Sequence, residues 1–393
     1  MNTVRFGVIG LGNMGAYHCG YMHALENASL TAVCDSDAGK LDLVGGKHPE
    51  AKKYTSWEEL MGSGEVDAVI VAVPHYEHPA ITIAALERGL HVMTEKPEAV
   101  SINAARRMNE VAEQHPKQKF GIMFQTRTNP LYKKIRDLVL SGDLGEITRI
   151  TWIATSWFRT WTYYASGGWR ATWAGEGGGV LLNQCPHNLD QLYWLTGMMP
   201  SRITAVASIG KTHPIEVEDE VSAIMEYPGG AIGHFVTTTG EAPGTDRLEI
   251  VGDRGRIVSE SGKLTMKLNR KSTRELREKS TESFPSAEAW EFEVPVKRDQ
   301  PEGAKAMAQN FVNAILKDEE LIAPGAEGIK GLEIGNAMMM AGLTRKAVDL
   351  PINGDAFDAF LKEMTTKYGG RKTAGAASAA EVNMGASFGS KAS

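Results

Sequence analysis

Two residues of this chain, Lys96 and His187, have the types and surroundings that proton chemistry requires. Lys96 lies in His91-Val92-Met93-Thr94-Glu95-Lys96-Pro97. Proline fixes its own φ, lacks an N–H and keeps the preceding residue out of helix, so Lys96 belongs on a strand-end turn facing a cleft. A lysine there can stabilise developing alkoxide charge, or take a hydroxyl proton if burial lowers its pKa. His187 lies in Gly177-Gly178-Gly179-Val180-Leu181-Leu182-Asn183-Gln184-Cys185-Pro186-His187-Asn188-Leu189-Asp190. The glycines allow close backbone approach, and a helix begins after them. A neutral imidazole moves protons near pH 7, and an asparagine amide can donate to or accept from a sugar hydroxyl. Asn183 shares a helix face with His187 if one helix runs through both; a helix starting at Pro186, whose missing N–H suits a first turn, leaves Asn183 in a loop.

The partner for such chemistry is announced at the start of the chain. Val4–Ile9 is a β-rich run that leads directly into Gly10-Leu11-Gly12-Asn13-Met14-Gly15. In this G-x-G-x-x-G, Gly10 permits a tight turn, Gly12 admits a pyrophosphate, and Gly15 allows helix and strand to pack closely. The helix expected over 16–25 then offers free N–H groups, with Asn13 and Met14 at its mouth. A second strand, Ser29–Cys34, ends in Asp35, about twenty residues past the last glycine, where a carboxylate binds ribose hydroxyls. Asp35 repels a 2′-phosphate and no arginine follows it at Ser36 or Asp37, so NAD is favoured over NADP.

Strands and helices continue to alternate through residue 124, which implies a parallel sheet with helices on both faces. Ligands of such sheets lie beyond the carboxyl ends of the strands. Pro74, His75, His78, Glu95, Lys96 and Gln125 all fall there and are expected to border the cofactor. From Arg202 to Ser259 short strands follow one another through tight turns, as in a mainly antiparallel sheet. Residues 263–300 are dense in Lys, Arg, Glu and Ser and read as a solvated edge, and the Met338-Met339-Met340 cluster reads as core. The expected organisation is a nucleotide-binding domain at 1–124, an α/β domain with a large open sheet at 125–368, and an Ala/Gly/Ser-rich, poorly packed tail at 369–393.

With 393 residues and 42% hydrophobic composition, the chain can build such cores. A net charge of −6 disfavours nucleic acid as a partner, and no apolar run suits a membrane. Cys19, Cys34 and Cys185 have neither metal-ligand nor disulfide spacing, and the start lacks a signal peptide's pattern. These features predict a soluble cytoplasmic protein with no bound metal.

Through GVIGLGNMG, VAVPHYEH, HVMTEKP and GGGVLLNQCPHNLD the chain resembles the glucose–fructose oxidoreductase / inositol dehydrogenase / rhizopine catabolism (Gfo/Idh/MocA) family. The resemblance implies a Rossmann domain followed by an α/β domain whose open sheet makes a subunit interface, hence a homodimer or homotetramer. It matches Lys96 to the lysine of the family's Glu-Lys-Pro motif and His187 to its catalytic histidine, and suggests Gln125 and Arg127 near the nicotinamide ribose. The family often has aspartate at position 183. Asn183 departs from that and is read as substrate-binding.

The activity expected is hydride transfer between a sugar, glycoside or cyclitol alcohol and the nicotinamide. His187 is the first choice of base and Lys96 hydrogen-bonds the same oxygen or shares the proton; sequence leaves the two open. Arg159, Trp161, Tyr163, Tyr164, Trp169, Arg170 and Trp173 are expected to line the substrate pocket, with neutral and anionic sugars both accommodated. Two other classes share these motifs: a redox-neutral glycosidase working through a transient 3-keto sugar, and an NAD-binding regulator, which the retained Lys96 and His187 disfavour.

Overall fold

A computed structural model describes residues 2–372. From residue 373 onward the expected tail lies outside the described residues. Six parallel strands form the first sheet: β1 (Val4–Ile9), β2 (Ala28–Cys34), β3 (Lys52–Tyr54), β4 (Ala68–Val71), β5 (His91–Thr94) and β6 (Phe120–Ile122). Their order is β3-β2-β1-β4-β5-β6, the doubly wound arrangement of a Rossmann fold. These strands are short and apolar because both faces are covered; all four residues of β4 are buried. The helix Ala38–Gly45 and strand β3, which carry little periodicity, complete the order that the sequence reading left incomplete.

The second sheet comprises, among the described residues, β7 (Ile147–Ala154), β8 (Arg202–Ile209), β9 (Glu218–Glu226), β10 (Ile232–Thr238), β11 (Asp246–Gly252), β12 (Gly255–Glu260), β13 (Lys263–Asn269), β14 (Ala289–Glu293) and β15 (Val348–Asp349). The order is β14-β13-β12-β11-β7-β10-β9-β8-β15. Every pair is antiparallel except β7 with β10. The charged stretch 263–300 supplies β13 and β14 at the sheet's edge, where lysine and glutamate blunt further pairing.

One face of this sheet is covered by the helix Gly328–Thr344, which packs on β8, β9 and the helix Pro186–Trp194. Met338 and Met339 are fully buried in it. Gly331 allows the close crossing, since a Cβ there would stand 2.8 Å from the Asp190 backbone nitrogen. The other face is open. It carries Val206 (53% exposed), Ile224 (47%) and Ile232 (37%) on β8–β10, and an ion-paired group of Arg149, Arg247, Glu249 and Glu260 towards β12.

The two sheets are joined through the turn Gln125–Thr128. Arg127, fully buried, makes a bidentate pair with Asp190 (Nε–Oδ2 2.9 Å, Nη2–Oδ1 2.6 Å) and also meets Glu327 and the Ile322 carbonyl. It thus fastens the end of the first sheet to the helix carrying His187. Its guanidinium is committed to this junction and does not reach toward a ribose.

Candidate active site

The glycine turn after β1 fits a dinucleotide. Gly10 has φ +90°, and a Cβ there would lie 2.5 Å from the Ala72 carbonyl oxygen. A Cβ on Gly15 would overlap the Gly10 carbonyl oxygen, at 1.7 Å. At Gly12 a Cβ would meet nothing within 4 Å, leaving room for a phosphate against the backbone. Several helices begin with a side-chain cap, as Ser101 accepts from Ala104 N–H and Asn353 from Ala356 N–H. The helix Asn13–Tyr21 has none, so its first N–H groups and positive dipole end are left for an anion. At the end of β2 the Asp35 carboxylate accepts from Leu11 N–H (2.7 Å) and Asp37 N–H (2.9 Å), which holds it beside the glycine turn.

At the end of β5, Glu95 Oε1 lies 2.8 Å from His18 Nε2, and Glu95 Oε2 accepts the Lys96 N–H. His18 in turn meets the Tyr21 hydroxyl at 2.5 Å. Sequence reasoning missed His18; its signal is a histidine three residues past Gly15 on a helix that faces the sheet ends. Lys96 precedes a cis proline and its Nζ donates to the Asn183 carbonyl at 2.8 Å. Burial lowers the Lys96 pKa; Glu95 and Glu176 oppose that, while Arg170 and Arg159 add to it.

His187 is buried with its ring 6.2 Å from that of Phe124, edge to face. Burial, then the charge of Lys96, pulls its pKa down to about 3, so the imidazole is neutral across the physiological range. The helix does not run through both predicted polar residues. Asn183 ends a short turn, Val180–Asn183, and a second helix starts at Pro186, so the four-residue spacing is not what brings Asn183 to the site. The break itself does, by turning the Asn183 carbonyl onto Lys96.

Around Asn183 lies a continuous polar network. Tyr163 donates its hydroxyl to Asn183 Oδ1 (3.1 Å) and accepts from Arg170 Nη1 (3.2 Å) and Gln184 Nε2 (3.1 Å). Asn183 Nδ2 donates to Glu176 Oε1, and Glu176 Oε2 accepts the Ala171 N–H at 2.6 Å. Glu176 is 2% exposed, and burial raises its pKa against the pull of Arg170. It stands immediately before the three glycines, the one signal that could have marked it. Arg170 stacks on Tyr163 and Trp169, and Arg159 on Trp157 and Tyr163. The loop is held from behind by His213, whose Nδ1 is 3.1 Å from Asp219 and Nε2 2.9 Å from the Arg159 carbonyl. It is held from the far end of the chain too. Lys372 Nζ donates to the Gly167 and Arg170 carbonyls (2.9 and 2.8 Å), and Gly370 N–H to Glu216. The first residues of the expected loose tail are therefore packed, a correction to the reading from composition.

Other predicted contacts fall elsewhere. His78, expected beside the cofactor, is wholly buried with Nδ1 2.8 Å from the Pro97 carbonyl and Nε2 2.9 Å from that of Val73; it braces the Lys96–Pro97 turn from beneath. Trp173, expected in the pocket, is also fully buried, edge-on to Phe360 in the core. His75, after Pro74, reaches across to the second sheet's side, with Nδ1 3.1 Å from the Glu176 carbonyl and its ring against Trp169. Gln125 is buried at the start of the joining turn, where its carbonyl accepts from Thr128. The three cysteines are buried free thiols, and no helix among the described residues is long and apolar enough to cross a membrane.

Comparison with known proteins agrees with this geometry. Residues 4–123 match the model of an oxidoreductase family's NAD-binding Rossmann fold, and residues 132–258 match that of the GFO/IDH/MocA C-terminal domain. Inositol 2-dehydrogenase from Corynebacterium glutamicum is 27% identical over 235 residues, covering 58% of this chain and 65% of that protein. Rhizopine catabolism protein MocA from Rhizobium meliloti is 31% identical over 209 residues, covering 53% and 62%. The chain thus spans slightly under two thirds of the length of these relatives. The WlbA dehydrogenase from Chromobacterium violaceum, solved with NADH and UDP-GlcNAcA, shares 26% identity and a TM-score of 0.76, covering 90% of this chain and 97% of that one.

Proposed function

The chain belongs to the GFO/IDH/MocA oxidoreductase family and binds NAD, and from that premise we propose that it moves hydride between a secondary alcohol of a sugar, glycoside or cyclitol and the nicotinamide. The observation that carries this reading is the meeting of Lys96, from the end of β5, with the Asn183–His187 break from the other sheet's side. Bound NAD supplies the hydride acceptor. The glycine turn and the uncapped helix Asn13–Tyr21 hold its phosphates, and Asp35 holds the adenosine ribose and disfavours a 2′-phosphate. Glu95, anchored by His18, fixes Lys96 at the rim.

Removing a hydroxyl proton needs a base whose pKa lies near the working pH. His187, at about 3 before substrate enters, is a weak base, whereas Lys96 is lowered towards that range by burial. This favours Lys96 as proton acceptor and His187 as the neutral hydrogen-bond partner that aims the same hydroxyl. Tyr163, Arg170, Arg159 and Asn183 form the wall against which the sugar is oriented. The apolar part of the open face, at Val206, Ile224 and Ile232, supports a homodimer or homotetramer built on sheet-to-sheet packing. Light scattering at micromolar concentration is expected to give a multiple of the chain mass, and a monomer would reject it.

The test of function is NADH absorbance with NAD and a panel of myo-inositol, pyranosides, uronic acids and sugar phosphates. NADH formation with at least one member is expected. Aglycone release from a glycoside with no net NADH would replace the reading by the redox-neutral glycosidase, and no turnover of any member would overturn it.

A further inference from the structure

We propose that Glu176 is a positioning residue of this site, the carboxylate that fixes the Asn183 amide in one orientation and thereby the Tyr163 hydroxyl and the Lys96 ammonium around the reacting carbon. The inference deepens the hydride-transfer reading and rests on it. Glu176 is nearly inaccessible, and a buried carboxylate is retained only where donors and cations compensate it. Its nearest compensation comes from the pocket. Oε2 takes the Ala171 N–H next to Arg170, Oε1 takes Asn183 Nδ2, and the charges of Arg170 and Lys96 face it. Its own carbonyl meets His75.

The geometry leaves Asn183 one orientation. With Nδ2 turned to the carboxylate, Oδ1 must face Tyr163 and Gln184, and it accepts from both (3.1 and 3.2 Å). Tyr163, having given its proton to Asn183, must accept from Arg170 and Gln184. The backbone of the same asparagine holds Lys96 Nζ. One carboxylate therefore sets the donor and acceptor sense of three side chains, Asn183, Tyr163 and Gln184. Position 183 needs no acid of its own, because an acid is in contact with it.

Replacement by glutamine keeps the shape but puts an amide against an amide. The glutamine keeps one acceptor where two are used, so its Nε2 meets either the Ala171 N–H or Asn183 Nδ2 donor to donor, unless Asn183 flips and presents Nδ2 to Tyr163. The charged and titratable groups facing Lys96 are Glu95, Glu176, Arg170, Arg159, His187, His75, His78 and Cys185; those facing Glu176 are Lys96, Arg170, Tyr164, Glu218 and Lys372. Of these, Glu95 and Glu176 favour the ammonium of Lys96, so losing Glu176 releases its proton at lower pH.

Wild type, Glu176→Gln, and the exchange Glu176→Gln with Asn183→Asp are compared in the full-length protein by three measurements. These are kcat and KM against pH, NADH affinity by fluorescence, and pH-dependent acetylation of Lys96 read by mass spectrometry. For Glu176→Gln the expectation is a kcat loss of about a hundredfold, the scale of misplacing a reacting group. NADH affinity is unchanged, and both the Lys96 labelling curve and the pH–rate limb it governs move to lower pH. The exchange variant, which keeps one carboxylate and one amide in contact, recovers most of the loss. A merely structural Glu176 would lower thermal stability and kcat together without moving the labelling curve, and that result overturns the proposal. So does Glu176→Gln activity within twofold of wild type at every pH. If wild type turns over no sugar, the hydride-transfer reading fails, and the Lys96 labelling curve still decides whether Glu176 governs this lysine.

Discussion

The cofactor end and the substrate end of the cleft are built by opposite means. At the cofactor end the work is done by backbone: a turn that excludes side chains at Gly10 and Gly15, an open approach at Gly12, an uncapped helix start, and one carboxylate at Asp35. All of it lies within residues 10–35. At the substrate end a mesh of side chains does the work, and its partners are far apart in sequence. Lys96 meets Asn183 across 87 positions, and Lys372 meets Gly167 across 205. The contrast teaches that a backbone site tolerates change around it, whereas a mesh fails as a unit, since each polar group in it is satisfied only by the others.

The sharpest way to break the comparison is to remove the groups proposed to react. Lys96→Met and His187→Ala are each expected to lower kcat by roughly two to four decades, with NADH affinity by fluorescence titration unchanged. Loss of NADH affinity in either would mean that the two ends are not separate devices. Next in size is the junction between them. Arg127→Met leaves Asp190 buried without its bidentate partner, an effect of about 3–5 kcal/mol, to be read as a lower midpoint in urea unfolding. An unchanged midpoint would show that the junction does not depend on this pair.

A smaller effect is expected at the cofactor end. Asp35→Ala with Ser36→Arg should raise the NADP-to-NAD ratio of kcat/KM by roughly tenfold, about the worth of one charge-assisted hydrogen bond. A wild type already preferring NADP would refute the role given to Asp35. The smallest effect concerns His213 behind the substrate loop. Burial alone would lower its pKa, but the hydrogen bonds it donates to Asp219 and to the Arg159 carbonyl raise it above the ordinary 6.5. A group whose pKa is higher in the folded state stabilises below its unfolded value and loses that contribution as pH rises through the folded one. The thermal-midpoint gap between wild type and His213→Asn should therefore be widest below about pH 6.5 and narrow above it. A gap that widens with pH would reverse the sign.

The same contrast explains what could be read in the sequence. Strand, glycine turn, helix and terminal acid are local, so the first sheet and its glycine turn were legible, and the antiparallel second sheet could be read from its turns. Lys96 and His187 stood out as candidates because each sits in a short distinctive stretch. His18 and Lys372 were not, because their partners lie 77 and 205 residues away; Glu176 was not, because only the fold shows that it is buried against Ala171 and Asn183. Trp173 and His78 were misjudged for the same reason: residue type suggested a ligand contact, and only packing reveals that Trp173 lies against Phe360 and His78 between two carbonyls. The helix over Asn183 and His187 was a periodicity argument, and the break before Pro186 overrides it.

The fastening of Gly167 and Arg170 by Lys372 also bears on how the protein comes into being. Synthesis proceeds from the amino terminus, and domains form as their residues emerge. The nucleotide half has every residue it needs once the first third of the chain has been made. The substrate loop does not, because its clasp is translated some two hundred residues later. A nascent chain therefore holds a complete dinucleotide cradle beside an unfinished candidate substrate pocket, and the last described turn of the polypeptide closes it.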